Sequence, residues 1–309
     1  MKRSLTLNSG AEMPIIGLGT YKLGLIEASQ AVSYAIDAGY RHFDCAWFYG
    51  NEYNVGYAIR EKIKQGVVKR EDIFVTTKLW NNYHDKDRVI PMLKESVRNI
   101  KVGYVDLFLM HWPFGFKEIE PLWPLDEGEE AYSDVDYLET WEGMEEGVSM
   151  GLAKSIGVSN FNEEQLERLL ENCKIKPAVN QIEVNPNMNQ KKLIQFCKER
   201  DVMVTGYCPL GRKEYAGSPG FPDPTILDPK VIEIGKKYNK TAAQVILNYL
   251  VSLGISVIPK SVNKERIIEN FDIFDFELSE EDVAYLDSCN KNQRVCTMDE
   301  FKTHKYYSF

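Results

Sequence analysis

Residues 15–44 read IIGLGTYKLGLIEASQAVSYAIDAGYRHFD. Two short strand-like runs with β-branched or aromatic residues, 15–19 and 41–44, bracket the stretch. Between them Ala28, Ala31, Val32, Ala35 and Ile36 fall at offsets 0, 3, 4, 7 and 8. That spacing lines one face of an amphipathic helix, and Gly39 supplies its stop. The stretch reads as a strand, a crossover helix and a second strand running parallel to the first.

The same alternation continues through strand-like runs at 73–78, 105–111, 155–159, 178–184, 203–207 and 256–260, with helical patterns between them. Asn162 with Gln165 forms a capping-box pattern ahead of an apolar helix face, and Ser279 with Asp282 caps a helix near the end. Eight βα units close most simply into a (β/α)8 TIM barrel, an α/β fold of about 250 residues. The chain has 309 residues, and three segments take the surplus: 112–139, 209–229 and the tail 290–309. The first two follow strand ends and form long loops at the C-terminal face. Nine acidic residues and no Lys or Arg fall within 118–139. Residues 4–16, with Asn8-Ser9-Gly10 as the turn, predict a β-hairpin ahead of the barrel. The expected organisation is a single barrel domain over 1–309, with the hairpin within 1–16 and a substrate loop at 290–309.

Composition narrows the function. Apolar residues make up 44% and charged residues 27%, and 37 Lys+Arg against 46 Asp+Glu leave a net charge of −9. An acidic chain without a basic run repels nucleic acid and anionic membrane, so neither is an expected partner. Six scattered cysteines without CxxC spacing read as free thiols of a reducing compartment. The first residues lack the apolar core of a signal peptide, and no stretch approaches the ~20 apolar residues of a membrane span. A cytoplasmic monomer is expected.

Chemistry gathers at the predicted C-terminal strand ends, where barrel enzymes build their sites. Asp44 closes RHFD, Lys78 closes IFVTTK and His111 closes VDLFLMH, while Tyr49 follows in the loop DCAWFYG. Each alone has an ordinary structural reading, but together they aim polar groups at one mouth. A cation beside a tyrosine favours phenolate and lowers its pKa. Lys78 is expected to be that cation, held by Asp44, with His111 orienting a substrate oxygen. Such a set suits protonation of a carbonyl oxygen while hydride reaches its carbon. Two rival readings are weaker. His42-x-Asp44 begins a possible metal site, but the chain has four histidines and no HExxH, and no metal is expected. Gly17–Gly24 lacks the third glycine of a dinucleotide fingerprint and reads as a tight turn. Late in the chain, IPKSVNKER (258–266) ends a strand and opens a helix, a usual barrel site for phosphate with Lys260 and Arg266 as cations.

These motifs, in order along essentially the whole chain, closely resemble the aldo-keto reductases: MPIIGLGTY, AGYRHFDCAWFYGNE, TTKLWNNYH, DLFLMHWP, KSIGVSNF, AVNQIEVNP, YCPLG, VIPKSVNKERIIENF and RVC. The resemblance implies a catalytic tetrad of Asp44, Tyr49, Lys78 and His111, with Tyr49 the acid, and NADPH extended across the barrel mouth. Its nicotinamide would stack on Tyr207 and bond Ser159, Asn160 and Gln181. Lys260, Ser261 and Arg266 would grip the 2′-phosphate, Glu269 and Asn270 the adenine. Thr20 and Asp44 would line the reacting end, and Leu210 would lie in the loop over the pyrophosphate. Tyr21, Trp47, Phe48, Trp80, Trp112 and Cys296, with His111, would wall a pocket for a small carbonyl substrate. The chain departs from the commonest family pattern at Tyr21, where an indole is frequent, and at Arg212-Lys213-Glu214, where Ser-Pro is common. The expected activity is NADPH-dependent reduction of aldehydes and ketones. A ketosteroid reductase like those acting on 3-dehydroecdysteroids is the runner-up, and a non-catalytic NADPH-binding or structural protein the alternative of another class.

Overall fold

A computed structural model of the chain describes residues 3–309. Met1 and Lys2, part of the expected 1–16 hairpin, lie outside the described residues. The N-terminal alternation pairs β1 (Ser4–Thr6) antiparallel with β2 (Glu12–Pro14), Ser4 opposite Pro14. Gly10 turns the hairpin at φ 82°, a conformation that costs glycine little. Leu7 and Met13 pack with Phe74, Leu107, Leu109, Ala178 and Val179, of which Phe74, Ala178 and Val179 lie at the N-terminal ends of barrel strands. The hairpin thereby plugs the foot of the barrel, and the Asn8 amide pins it by donating to the Pro177 and Asp201 carbonyls at 3.0 Å each.

Eight parallel strands follow in sequential order: β3 (Leu18–Gly19), β4 (His42–Asp44), β5 (Phe74–Leu79), β6 (Val105–Met110), β7 (Ala153–Ser159), β8 (Val179–Glu183), β9 (Met203–Tyr207) and β10 (Ser256–Val257). Main-chain bonds between the two ends close the barrel: Val257 N donates to Ile15 O at 2.9 Å, Gly17 N to Val257 O at 2.9 Å and Gly19 N to Pro259 O at 3.1 Å. A Cβ at Gly19 would lie 2.8 Å from the Ile258 carbonyl oxygen, so this seam needs glycine. The last strand is shorter than the expected 256–260.

Each strand returns through a helix: α1 (Leu25–Ala38), α2 (Glu52–Lys64), α3 (Lys86–Ile100), α4 (Tyr137–Ser149), α5 (Glu163–Asn172), α6 (Lys191–Glu199), then α7 (Pro229–Tyr238) and α8 (Ala242–Ser252), and after β10 α9 (Lys264–Phe271). A last helix, α10 (Glu280–Ser288), precedes the tail. The predicted helix face of Ala28, Ala31, Val32, Ala35 and Ile36 is the buried face of α1. Asn162 Oδ1 accepts from Gln165 N at 2.9 Å and Gln165 Oε1 from Asn162 N at 3.2 Å, the expected capping box. α7 was not anticipated. It begins at Pro229, the proline that closes the second loop, with the Asp228 carboxylate capping Lys230 N, a position proline favours.

Candidate active site

The site grows from the C-terminal ends of β4, β5 and β6. Asp44 ends β4, Lys78 is the penultimate residue of β5, and His111 directly follows β6. Just past β4 the chain makes one tight helical turn, Trp47–Tyr49, ended by Gly50 at φ 68°. The buried Asn51 then ties this turn to the loop after β3 by donating to Thr20 O at 2.9 Å and Leu23 O at 3.2 Å. Tyr49 is brought over Lys78 by these constraints.

The Lys78 ammonium makes three bonds. It donates to Asp44 Oδ1 at 2.6 Å, to Cys45 O at 3.0 Å and to Tyr49 Oη at 3.3 Å. Lys78 is 1% and Asp44 2% exposed. A buried ion pair adds little stability over apolar packing of the same volume, so its presence is better explained by chemistry than by stability. The His111 ring stands edge-on to Tyr49 with centroids 5.7 Å apart. Its Nδ1 is buried without a hydrogen-bond partner. Tyr21 leans over Tyr49 at 5.0 Å between centroids.

Burial holds the Tyr49 phenol well above its ordinary pKa, and the Asp44 charge adds to the effect. The expected net lowering by Lys78 is therefore corrected: Asp44 offsets much of the ammonium charge at 2.6 Å, and desolvation of the phenolate dominates. Burial and then the Lys78 charge push His111 well below the usual histidine value. At neutral pH the phenol carries its proton and the imidazole is uncharged.

From Asp44 a chain of hydrogen bonds crosses four strand ends. Gln181 Nε2 donates to Asp44 Oδ2 at 2.8 Å, and Ser159 Oγ donates to Gln181 O at 2.8 Å. Asn160, in the left-handed conformation (φ 64°), donates to Ser159 Oγ at 3.2 Å and His111 O at 3.0 Å. Its Oδ1 accepts from Tyr207 Oη at 2.7 Å, which fixes the ring at the end of β9. Thr20 Oγ1 donates to Asp44 O at 2.9 Å. Leu210, beyond β9, is half-buried against the main core.

The other end of the mouth is the start of α9. Asn263 caps the helix by accepting from Arg266 N at 2.9 Å, and the buried Ser261 accepts from Asn263 N at 3.1 Å. Lys260, Arg266 and Glu269 are exposed and Asn270 is buried. Among the described residues neither Lys260 nor Arg266 has a carboxylate within ion-pair distance. Two uncompensated cations beside a helix N-terminus form an anion-seeking donor set. The rival metal reading fares worse. Both His42 nitrogens are engaged, with Pro14 O and Thr76 Oγ1, each at 3.2 Å, and among the described residues no cluster of three His, Cys, Asp or Glu could hold an ion.

Aromatic rings stand around the phenol. Phe48 stacks on Trp80 at 3.8 Å, Trp80 lies against Trp123 at 5.8 Å and meets His111 edge-on at 5.1 Å. Trp112 packs in the same cluster with Phe114, Phe116, Met298 and Phe301. Trp47 turns its indole N–H outward to Glu95 at 2.8 Å. The tail reaches this rim through Glu183 at the end of β8. Its carboxylate accepts from Val295 N at 3.0 Å and Cys296 N at 2.9 Å.

A profile of the "Aldo/keto reductase family" matches residues 15–291. "Aldo-keto reductase AKR2E4" of Bombyx mori is 42% identical over 309 residues, 98% of this chain and 97% of that protein. The chain belongs to the aldo/keto reductase family. The crystal structure of that Bombyx mori reductase in complex with NADP superposes with a TM-score of 0.91, over 99% of this chain and 98% of that one. "Estradiol 17 beta-dehydrogenase 5" of Mus musculus is 42% identical over 315 residues, covering 100% of this chain and 98% of its own.

Of the residues read from sequence in this aldo/keto reductase, Asp44, Tyr49, Lys78, His111, Ser159, Asn160, Gln181 and Tyr207 form one connected group. Lys260 and Ser261 lie just before α9, and Arg266, Glu269 and Asn270 lie on it. Sequence reasoning missed Trp123, Phe301 and Glu183. Trp123 had a signal, the one indole within the acid-rich stretch 118–139. Glu183 sits in the quoted AVNQIEVNP at a strand end, yet its partners are amides more than a hundred residues away.

Proposed function

We propose that the chain reduces aldehydes and ketones to alcohols with NADPH. The Lys78 ammonium, bonded at once to Asp44 and to the Tyr49 hydroxyl inside an apolar mouth, carries this reading. The donor set fits the cofactor: unpaired Lys260 and Arg266, with Ser261, suit its 2′-phosphate, Glu269 and Asn270 its adenine. Tyr207 gives a ring platform beside the amide-bearing Asn160 and Gln181 and the Ser159 hydroxyl, with Thr20 and Leu210 alongside. NADPH supplies hydride when bound. Tyr49, held protonated, donates its proton to the carbonyl oxygen, and Lys78 stabilises the phenolate left behind. Asp44 fixes Lys78 and, through Gln181, the floor of the mouth. Neutral His111 donates an N–H to the carbonyl oxygen and orients it. Phe48, Trp80 and Trp112 exclude water from the reacting atoms, and Tyr21 and Cys296 close the rim.

A broad aldehyde is the leading substrate. A ketosteroid is the second reading, favoured by the flat face of the Phe48–Trp80 stack and by the likeness to the mouse estradiol dehydrogenase. We also propose one barrel domain acting as a cytoplasmic monomer, on the six free thiols and a site completed by one chain.

Tyr49→Phe decides the reading. The variant should fold, bind NADPH by fluorescence titration, and lose about 10²–10⁴ of the rate of aldehyde-dependent NADPH oxidation. Unchanged turnover would remove Tyr49 as the acid, and no turnover by the unaltered protein with either substrate class would favour a nucleotide-binding role.

A further inference from the structure

β9 ends at Tyr207, and the next residue turns the chain sharply into the second loop. Cys208 adopts φ 49° there, and its sulfur lies 3.7 Å from that of Cys296. Cys296 comes from the tail, held by the bond of its amide to Glu183. Both residues are half-buried, at the edge of the mouth rather than in the core. The other described cysteines are placed differently: Cys45 donates to Thr76 O, Cys173 to Leu170 O and Cys289 to Tyr285 O, and Cys197 is buried near Asn180.

We propose that Cys208 and Cys296 are a redox modification site, converted by hydroperoxides into a reversible disulfide that ties the tail to the end of β9.

Local electrostatics suit the chemistry. The two sulfurs stand at thiol hydrogen-bond distance, with either able to donate, and their interaction draws Cys208 below the ordinary thiol value and raises Cys296. Arg212, one of the departures from the commonest family pattern, donates to Tyr215 Oη at 2.9 Å, and its positive charge also draws the Cys208 thiol down. A guanidinium beside a thiol stabilises the thiolate, the nucleophilic form. The Cys208 thiolate attacks hydroperoxide, the O–O bond breaks, and a sulfenic acid forms with release of hydroxide or alkoxide. The Cys296 thiol then attacks that sulfur, its proton leaves with the sulfenic oxygen as water, and the S–S bond closes. Two thiols have lost two electrons and two protons, and the peroxide has accepted them.

Closing the bond shortens the sulfur separation from 3.7 Å to about 2.05 Å. The tail backbone at 295–297, on the rim of the mouth, shifts with it. The kinetic consequence rests on the substrate pocket proposed above, whereas the cross-link itself does not.

The test treats the full-length protein with hydrogen peroxide, alkylates it, digests it and maps the peptides by mass spectrometry. The expected product joins the Cys208 and Cys296 peptides, lighter by two hydrogens. Titratable thiols fall by two from six and return with dithiothreitol. Cys208→Ser should keep its reduced-state turnover and yield no such product, with no peroxide-dependent change in aldehyde KM. The unaltered protein should show a reversible KM change with kcat retained. A Cys208 that stays alkylatable while Cys296 is oxidised, or a cross-link to another cysteine, overturns the proposal. A cross-link with unaltered KM overturns the displacement of the tail. Should Cys208→Ser not fold, the peptide map of the unaltered protein decides alone.

Discussion

The Lys78–Asp44 pair permits a quantitative test by double-mutant cycle. Lys78→Met leaves the Asp44 carboxylate, 2% exposed, with the Gln181 amide and no cation. Asp44→Asn leaves the Lys78 ammonium, 1% exposed, with the Cys45 carbonyl and the Tyr49 hydroxyl. Removing one partner of a buried pair costs about 3–5 kcal/mol, because the other charge stays desolvated. Unfolding entropy near 2.1 cal/mol/K per residue gives about 0.65 kcal/mol/K for 309 residues. Each single variant should therefore unfold about 5–8 °C lower. Asn and Met together bury no charge, so the double variant should be less destabilised than either single, with a coupling of at least about 3 kcal/mol. Calorimetry at pH 7 gives all four melting temperatures, and aldehyde-dependent NADPH oxidation should be lost in all three variants. Additive destabilisation, or single variants as stable as the unaltered protein, would refute the claim that the pair is a desolvated unit. A double variant that folds well yet is inactive would show the pair serving chemistry rather than stability.

Three other measurements bear on the site. Lys260→Ala and Arg266→Ala should each weaken NADPH about tenfold while leaving NADH little changed, since charge-assisted bonds to the 2′-phosphate are lost; equal weakening of both nucleotides would sink the phosphate assignment. His111 is neutral above a depressed pKa and Tyr49 is protonated below a raised one, so reductive kcat/KM should stay flat between the ordinary histidine and tyrosine values of about 6.5 and 10; a break toward the acid side of that window contradicts the direction for His111, and one toward the alkaline side that for Tyr49. Arg168 bonds hold Asp136 down at about 2, so its contribution is present above the ordinary carboxylate value and lost as pH falls through the folded one. The melting-temperature gap between the unaltered protein and Asp136→Asn should hold at pH 5 and above, then narrow from about pH 4 toward 2; a constant gap at all pH values would contradict it.

The barrel and the centre of its site were legible because both depend on short-range patterns. Asp44, Lys78 and His111 each close an apolar run, and parallel strands of a barrel carry their last residues to one rim. The corner of cations at the start of α9 was legible for the same reason, from a strand end running into a helix start. Tyr49 was legible as a loop residue near Asp44, but its proton affinity was not. The reading placed Asp44 beside Lys78 but did not weigh how far a carboxylate at 2.6 Å offsets the ammonium, nor the burial of the phenol. Trp123, Phe301 and Glu183 were hidden because their roles arise where separate loops fold back on the barrel. Glu183 is an acidic residue in an apolar strand until the amides of 295 and 296 arrive, and no local period announces that meeting. α7 was hidden because Pro229, its first residue, was read as the end of the second loop.

The seam that joins residues 15–19 to 257–259 also bears on how the chain is made. Its partners Ile16 and Val257 stand 241 positions apart (257 − 16), among the most distant pairings a chain of this length can make. Until the ribosome has released that far segment, the nascent sheet carries two unpaired margins, each offering amide and carbonyl groups to any passing strand. Contacts this remote form slowly. Newly made chains thus pass through a sticky interval that ends when the last strand docks, and a chain cut short before Val257 never leaves it.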